Sequence, residues 1–210
     1  MRKLINFYLV PFIIILLAIL AVSSIVVTMP VSTSNVYKTT KPLVVLDAGH
    51  GGVDGGTQSK DGQILEKDIN LDIVLTLRDM LLSYGYEVIL TRSEDISIHD
   101  DTAQSIHEKK VSDLKNRLNL VAQYPNCILV SIHQNFFEQS QYHGAQFFYS
   151  KNNPNSKYLA ECLKNSVIDQ LQPENTRESK QAGKEIYLMW NTQVPAVLAE
   201  CGFLSNAEEA

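Results

Sequence analysis

The sequence predicts an α/β protein: a single layered domain with a mostly parallel six-stranded sheet and helices on both faces, preceded by an N-terminal transmembrane helix. Three observations predict it. Short apolar runs alternate with segments of helical periodicity, the pattern of parallel strands joined by crossover helices. The apolar runs are continuous rather than alternating, as expected of strands covered on both faces. Residues 7–27 contain no charged side chain.

That charge-free segment comes first along the chain. At ~1.5 Å per residue it spans roughly 30 Å, the thickness of a bilayer core. Arg2 and Lys3 precede it and favour a cytoplasmic N-terminus with the remainder exported. Residues 1–29 therefore read as a signal anchor. The rival is a cleaved signal peptide, with Ala21-Val22-Ser23 as a loose cleavage site. Both readings place the rest outside the cytoplasm, either anchored to the membrane or secreted after cleavage. Residues 30–42 are rich in Ser and Thr without apolar periodicity and read as a linker. Residues 43–210 remain as one domain, large enough for a core without staples.

The elements follow in order. Leu43-Val44-Val45-Leu46 is a buried strand that ends at Asp47-Ala48-Gly49. A helix over 67–83 follows, since Ile69, Ile73, Leu77 and Leu81 recur every four residues. Tyr84-Gly85 ends it, glycine being the usual residue past a helix C-terminus. Residues 87–91 form a second strand. Residues 92–111 carry no clear period and make a long loop, which points to function or mobility. A second helix covers 113–124, with Leu114, Leu118 and Val121 on one face and Ser112 as N-cap. Residues 127–132 and 145–149 are strands. Leu159, Leu163, Val167 and Leu171 mark a third helix. Residues 186–189 and 196–199 complete the six strands. Asn206 starts a further helix with Glu209 at the capping-box position, so the chain is expected to be truncated within a final helix.

Composition narrows the function. The chain is 45% apolar, which excludes wholesale disorder. Its net charge is −5, or −7 without Arg2 and Lys3. An acidic domain argues against nucleic acid as a partner. Three cysteines at uneven spacings are no disulfide framework. Cys127 opens a strand and Cys162 lies on a helix's apolar face, so both are expected to be buried.

Ligands of a parallel sheet sit beyond the carboxyl ends of its strands, and four candidates fall there. The first strand runs into Asp47-Ala48-Gly49-His50-Gly51-Gly52-Val53-Asp54-Gly55-Gly56. This turn fails the dinucleotide pattern at Asp54, and it lacks the Gly-Lys-Ser/Thr of a phosphate loop. Its glycines let backbone approach closely around one imidazole. The third strand runs into His133. The last runs into Glu200, a carboxylate that is costly at the end of an apolar strand unless paired, metal-bound or open to a cleft. Glu66 starts the first helix. Two His and one carboxylate with an open fourth position is a zinc hydrolase pattern, the second carboxylate serving as acid/base. His99, His107 and His143 read as ordinary hydrogen-bonded residues.

The motifs go further. Val45-Leu46-Asp47-Ala48-Gly49-His50-Gly51-Gly52, Glu66, Thr91-Arg92 with Asp95, Ser131-Ile132-His133-Gln134-Asn135, His143-Gly144-Ala145-Gln146-Phe147-Phe148-Tyr149 and the run from Pro195 to Asn206 resemble, in order, the zinc-dependent N-acetylmuramoyl-L-alanine amidases of the amidase 3 family. The resemblance implies cleavage of the amide between the lactyl group of N-acetylmuramic acid and L-alanine in peptidoglycan. It matches His50, Glu66 and His133 to the Zn²⁺ ligands and Glu200 to the catalytic glutamate. Glu-Cys-Gly-Phe-Leu-Ser-Asn and the single apolar N-terminal segment look most like the germination-specific, spore-cortex branch, whose members take part in muramic-δ-lactam formation; that branch implies an activator protein. Arg92 and Arg117 either hold substrate carboxylates or make structural ion pairs. Asn135 bonds substrate or orients its loop, and Asp47 orients a ligand His. Cys201 faces away from Glu200 by strand alternation. Gln134 and Phe136 depart from the small residues common in the family. Two readings compete: a non-catalytic peptidoglycan- or partner-binding module of the same fold, and a zinc peptidase.

Overall fold

The computed structural model describes residues 41–210. The expected anchor and nearly all of the expected linker lie outside the described residues. Among the described residues, no helix is long and apolar enough to cross a membrane.

Six strands form one sheet: β1 (Val44–Ala48), β2 (Val88–Leu90), β3 (Ile128–Asn135), β4 (Gln146–Tyr149), β5 (Lys180–Gln181) and β6 (Ala196–Phe203). Their spatial order is β2-β1-β3-β6-β4-β5. All pairings are parallel except β4–β6, so the sheet is mixed but mostly parallel. Among the described residues, four helices accompany it: α1 (Glu66–Ser83), α2 (Ile106–Ala122), α3 (Asn155–Gln170) and α4 (Tyr187–Asn191).

Strand alternation divides the core in two. Val44, Leu46 and Ala48 of β1 pack with Val74 of α1 and Ala160 of α3. Val45, between them in sequence, packs on the other face with Val121 of α2 and Leu188 and Met189 of α4. Every residue of β1 is buried, which explains why all of them but Asp47 are apolar.

Several expected boundaries move. α2 starts at Ile106, not at residue 113, and its cap is Ser105 rather than Ser112. Ser105 Oγ accepts the Glu108 N–H, while Glu108 Oε2 accepts the Ser105 N–H, a complete capping box. Ser112 lies inside the helix and bonds Asp100 instead. The apolar run 186–189 is not a strand: it leads into the one-turn helix α4, where Trp190 N–H donates to the Ile186 carbonyl. A four-residue apolar run fits a buried helical turn as well as a strand. The sixth strand is instead β5, two exposed residues without an apolar signal. β3 and β6 run further than expected, so His133 and Glu200 stand on the strands and not past them. Cys127 is buried as expected, but Cys162 is exposed, one position before Leu163 and turned off the apolar stripe. Asn206 Oδ1 accepts the Glu208 N–H, yet Glu209 forms no box with Asn206; its carboxylate accepts from Phe203 and Gly144 N–H groups.

Candidate metal centre

The site lies at the carboxyl ends of β1, β3 and β6. β1 leads into a turn in which His50 adopts a left-handed backbone, φ +62°, flanked by Gly51 and Gly52, also at positive φ. A non-glycine residue there is strained and persists only where its surroundings fix it. Two guanidiniums do so. Arg117 donates to the carbonyls of Ala48 and His50, and Arg92 to those of Ala48 and Gly49.

Glu66, the first residue of α1, is 3% exposed. Its Oε1 lies 3.1 Å from His50 Nε2 and 2.9 Å from His133 Nδ1. Its Oε2 accepts the Thr57 N–H at 2.8 Å. The ligand atoms of His50, Glu66 and His133 all lie within 4.8 Å of one another. Their approach needs two glycines. A Cβ on Gly49 would sit 2.3 Å from the His133 ring, and one on Gly56 would sit 2.5 Å from Glu66 Oε2. Gln134, one of the departures noted in sequence, lies behind the group: its N–H donates to Glu66 and its side chain to Asn70.

The electrostatics suit a cation. Burial opposes a charge on His50, but hydrogen bonds to Asp54 and Glu66 outweigh it and raise its pKa to about 9. Burial also opposes the charge on Glu66, yet hydrogen bonds from His133 and His50 hold its carboxyl below the ordinary range. Oxygens that stabilise a proton at this point would also stabilise a divalent ion. Nitrogen and carboxylate donors are those zinc takes. The residues present therefore fit a metal ion with three protein ligands.

Glu200 stands beside this group. It pairs in register with His133 on the neighbouring strand. Its Oε2 is buried and has no hydrogen-bond partner among the described residues. Burial raises its pKa, the charge on Glu66 adds to this, and the two imidazoles oppose it. Glu200, His50 and His133 line one cleft of about 360 Å³, walled by α2 and by the segment leading into α4.

The remaining expected site residues fall differently. Arg92 and Arg117 are 3% and 2% exposed. Arg92 donates to four backbone carbonyl contacts. Arg117 pairs with Asp47 and Asp113 at 2.6 Å each. Of their two readings, the geometry fits the structural one, because their donors are engaged within the fold. Asp47 does not orient a ligand His. Its carboxylate accepts from Thr91, Ser131 and Arg117. Burial works against its charge, but Arg117 and Ser131 lower its pKa to about 2. The orienting carboxylate is Asp54, 3.0 Å from His50 Nδ1. Its other oxygen lies 2.8 Å from Lys110 Nζ. The sequence signal for Asp54 was its place four residues after His50 in the glycine turn. Asn135 lies beyond this group, with its Oδ1 accepting the Phe136 N–H.

Known proteins share this arrangement of chain. The germination-specific N-acetylmuramoyl-L-alanine amidase of Bacillus subtilis is 35% identical over 172 residues, covering 80% of this chain and 69% of that protein. The CwlD amidase from Clostridioides difficile, solved in complex with the GerS lipoprotein, is 41% identical with a TM-score of 0.76, covering 80% of this chain and 85% of that one. AmiC2 of Nostoc punctiforme, an N-acetylmuramoyl-L-alanine amidase, is 25% identical with a TM-score of 0.66, covering 80% and 82%. The Amidase_3 profile, described as N-acetylmuramoyl-L-alanine amidase, matches residues 44–210. With four-fifths of its length inside that match, the chain belongs to the Amidase_3 family of N-acetylmuramoyl-L-alanine amidases.

Proposed function

We propose that this amidase is zinc-dependent, with His50, Glu66 and His133 as ligands and Glu200 as acid/base, and that it cleaves the amide between the lactyl group of N-acetylmuramic acid and L-alanine. The observation that supports this most is the convergence of three ligand-type side chains beside a buried carboxylate oxygen with no protein partner. A zinc ion held there supplies Lewis acidity toward a carbonyl oxygen and makes water nucleophilic near neutral pH.

The chain's own residues supply the rest. Glu200 accepts a proton from water as its oxygen adds to the lactyl carbonyl carbon. It returns that proton to the alanine nitrogen as the C–N bond breaks, leaving a lactyl carboxyl group and a free L-alanine amine. A pKa raised by burial suits a group that must both take and give a proton. Asp54 fixes the orientation of the His50 ring through Nδ1. A substrate contact by Asn135 falls to its amide nitrogen, since its oxygen is engaged.

The likeness to a germination-specific amidase and to CwlD supports a role in the spore cortex, including muramic-δ-lactam formation. The complex of CwlD with a lipoprotein supports an activator partner for this chain as well. The charge-free segment 7–27 supports an extracytoplasmic domain over 43–210, held to the membrane by residues 1–29 through a linker over 30–42.

The test is digestion of purified cortex-type peptidoglycan by wild type and Glu200→Gln, with zinc content measured on both. Wild type should release new N-terminal L-alanine. The variant should keep its zinc and lose about 10²–10⁴-fold in rate. Equal rates would overturn the role of Glu200. Binding of the polymer by wild type without new L-alanine termini would favour the binding-module reading.

A further inference from the structure

The cleft beside the candidate metal centre must admit a peptide that carries carboxylates, yet its walls are mostly acidic or apolar. Asp47 and Asp113 are neutralised by Arg117. Glu200 and Glu185 line the same cleft, and Glu185 is exposed. A carboxylate approaching from the Glu185 side meets like charge. Arg117 also lines the cleft, but it is 2% exposed and donates to Asp47, Asp113 and two carbonyls. The other arginine expected to meet substrate, Arg92, is engaged with backbone carbonyls.

Lys110 differs. It lies on the cleft-facing side of α2, with Leu114 and Arg117 four and seven residues on. Its side chain is 48% exposed, and its ammonium meets Asp54 at 2.8 Å. An ammonium carries three donors, so a contact with Asp54 leaves capacity for a second anion. Of the described Lys and Arg residues lining the cleft, Lys110 is the exposed one.

We propose that Lys110 is the specificity-determining residue of this cleft and binds a free carboxylate of the stem peptide on the leaving side of the scissile amide. This rests on the amidase reading above. Asp54 serves as the anchor that keeps the Lys110 ammonium at the cleft wall. The assignment moves carboxylate recognition from the two buried arginines to a half-exposed lysine on a rigid helix. It also makes the cleft directional, with the cation on the α2 wall and Glu185 on the wall leading into α4.

The probe is one peptidoglycan preparation in two forms, one native and one with its peptide carboxylates converted to primary amides. Cleavage is followed by new N-terminal L-alanine for wild type, Lys110→Met and Lys110→Arg. Binding of both polymers is followed separately in a Glu200→Gln background, with and without Lys110→Met. Wild type should prefer the native form about 5–10-fold in kcat/KM, mostly through KM, the scale of a partly exposed charge-assisted contact. Lys110→Met should abolish that preference, and Lys110→Arg should restore part of it. Retention of the preference by Lys110→Met overturns the proposal. So does an equal loss on both polymers accompanied by lower zinc affinity, which would mean that Lys110 acts only through Asp54. If no L-alanine termini form in any variant, the amidase reading fails, and the binding arm still decides whether Lys110 selects carboxylates.

Discussion

Gly49 offers a direct test of how the candidate metal centre is packed. A Cβ at this position would lie 2.3 Å from His133 Cε1 and 2.4 Å from Nε2. Non-bonded carbons sit at about 3.5 Å or more, so in Gly49→Ala the ring must retreat by about 1 Å. The added Cβ would also lie 2.7 Å from Nδ1, the atom that meets Glu66 at 2.9 Å, so the retreat disturbs that contact. Zinc–nitrogen distances tolerate only about ±0.2 Å, and the shift exceeds that several-fold. Outer-shell changes cost about 10–100-fold in metal affinity; displacing a ligand should cost at least the upper end of that range. The overpacking itself should destabilise the fold by about 1–3 kcal/mol. Gly55→Ala is the control, since its Cβ would meet nothing nearer than Leu65 Cδ2 at 4.0 Å. Zinc affinity from chelator competition, with urea unfolding of the metal-free proteins alongside, separates the two effects. Equal zinc affinity in Gly49→Ala and Gly55→Ala would refute this role of Gly49 in the cradle.

Other perturbations probe the supports. Asp54→Asn should lower zinc affinity about 10–100-fold by weakening the hold on His50 Nδ1, measured by the same competition, with little change in the urea midpoint. Arg117→Met leaves Asp47 and Asp113 buried without their cation and should cost about 3–5 kcal/mol in urea unfolding; a loss under 1 kcal/mol would refute the strut. The Asp47 pKa is depressed from 3.8 to about 2, so its contribution is present above about pH 4 and fades as pH falls through 2. That contribution is about 2 kcal/mol, and the acid limb of wild-type stability should be steeper than that of Asp47→Asn by this amount.

Much of the architecture was legible because burial on both faces leaves a continuous apolar run, as in β1, and because Ile69, Ile73, Leu77 and Leu81 repeat at a helical spacing. The start of α2 was not, since His107, Glu108, Lys109 and Lys110 carry no apolar stripe; only the Ser105–Glu108 box marked it. The apolar run 186–189 failed for a different reason: four buried residues satisfy either period. Within the site, His50, Glu66, His133 and Glu200 stood out as polar residues where an apolar strand or a helix begins or ends. Asp54 offered only its spacing of four residues from His50 in the glycine turn, and Lys110 offered nothing, because its contact with Asp54 joins that turn to a helix more than fifty residues away. Arg92 and Arg117 looked like anion receptors. Which anions or carbonyls a guanidinium meets is set by tertiary packing, and here that packing turns both toward the backbone of residues 48–50.

The strand order has a consequence for how the molecule is assembled. β6 follows the other described strands in sequence but is central in space, lying between β3 and β4. The three ligand-type residues belong to the stretch from β1 to β3, which can pair without it. The edge made by the parallel pair β4–β5 reaches the other strands only through β6. Until β6 inserts, the folding chain lacks both Glu200 and the seam that joins β4 and β5 to the other strands. The β1–β3 pairing, Val44 with Ile128, closes a longer stretch of chain than the β3–β6 pairing, Leu129 with Ala196, and both are non-local contacts of the kind that slow folding. The proposed acid/base therefore stands beside the three ligand-type side chains only when β6 is paired with β3, so the site is complete only in the closed sheet.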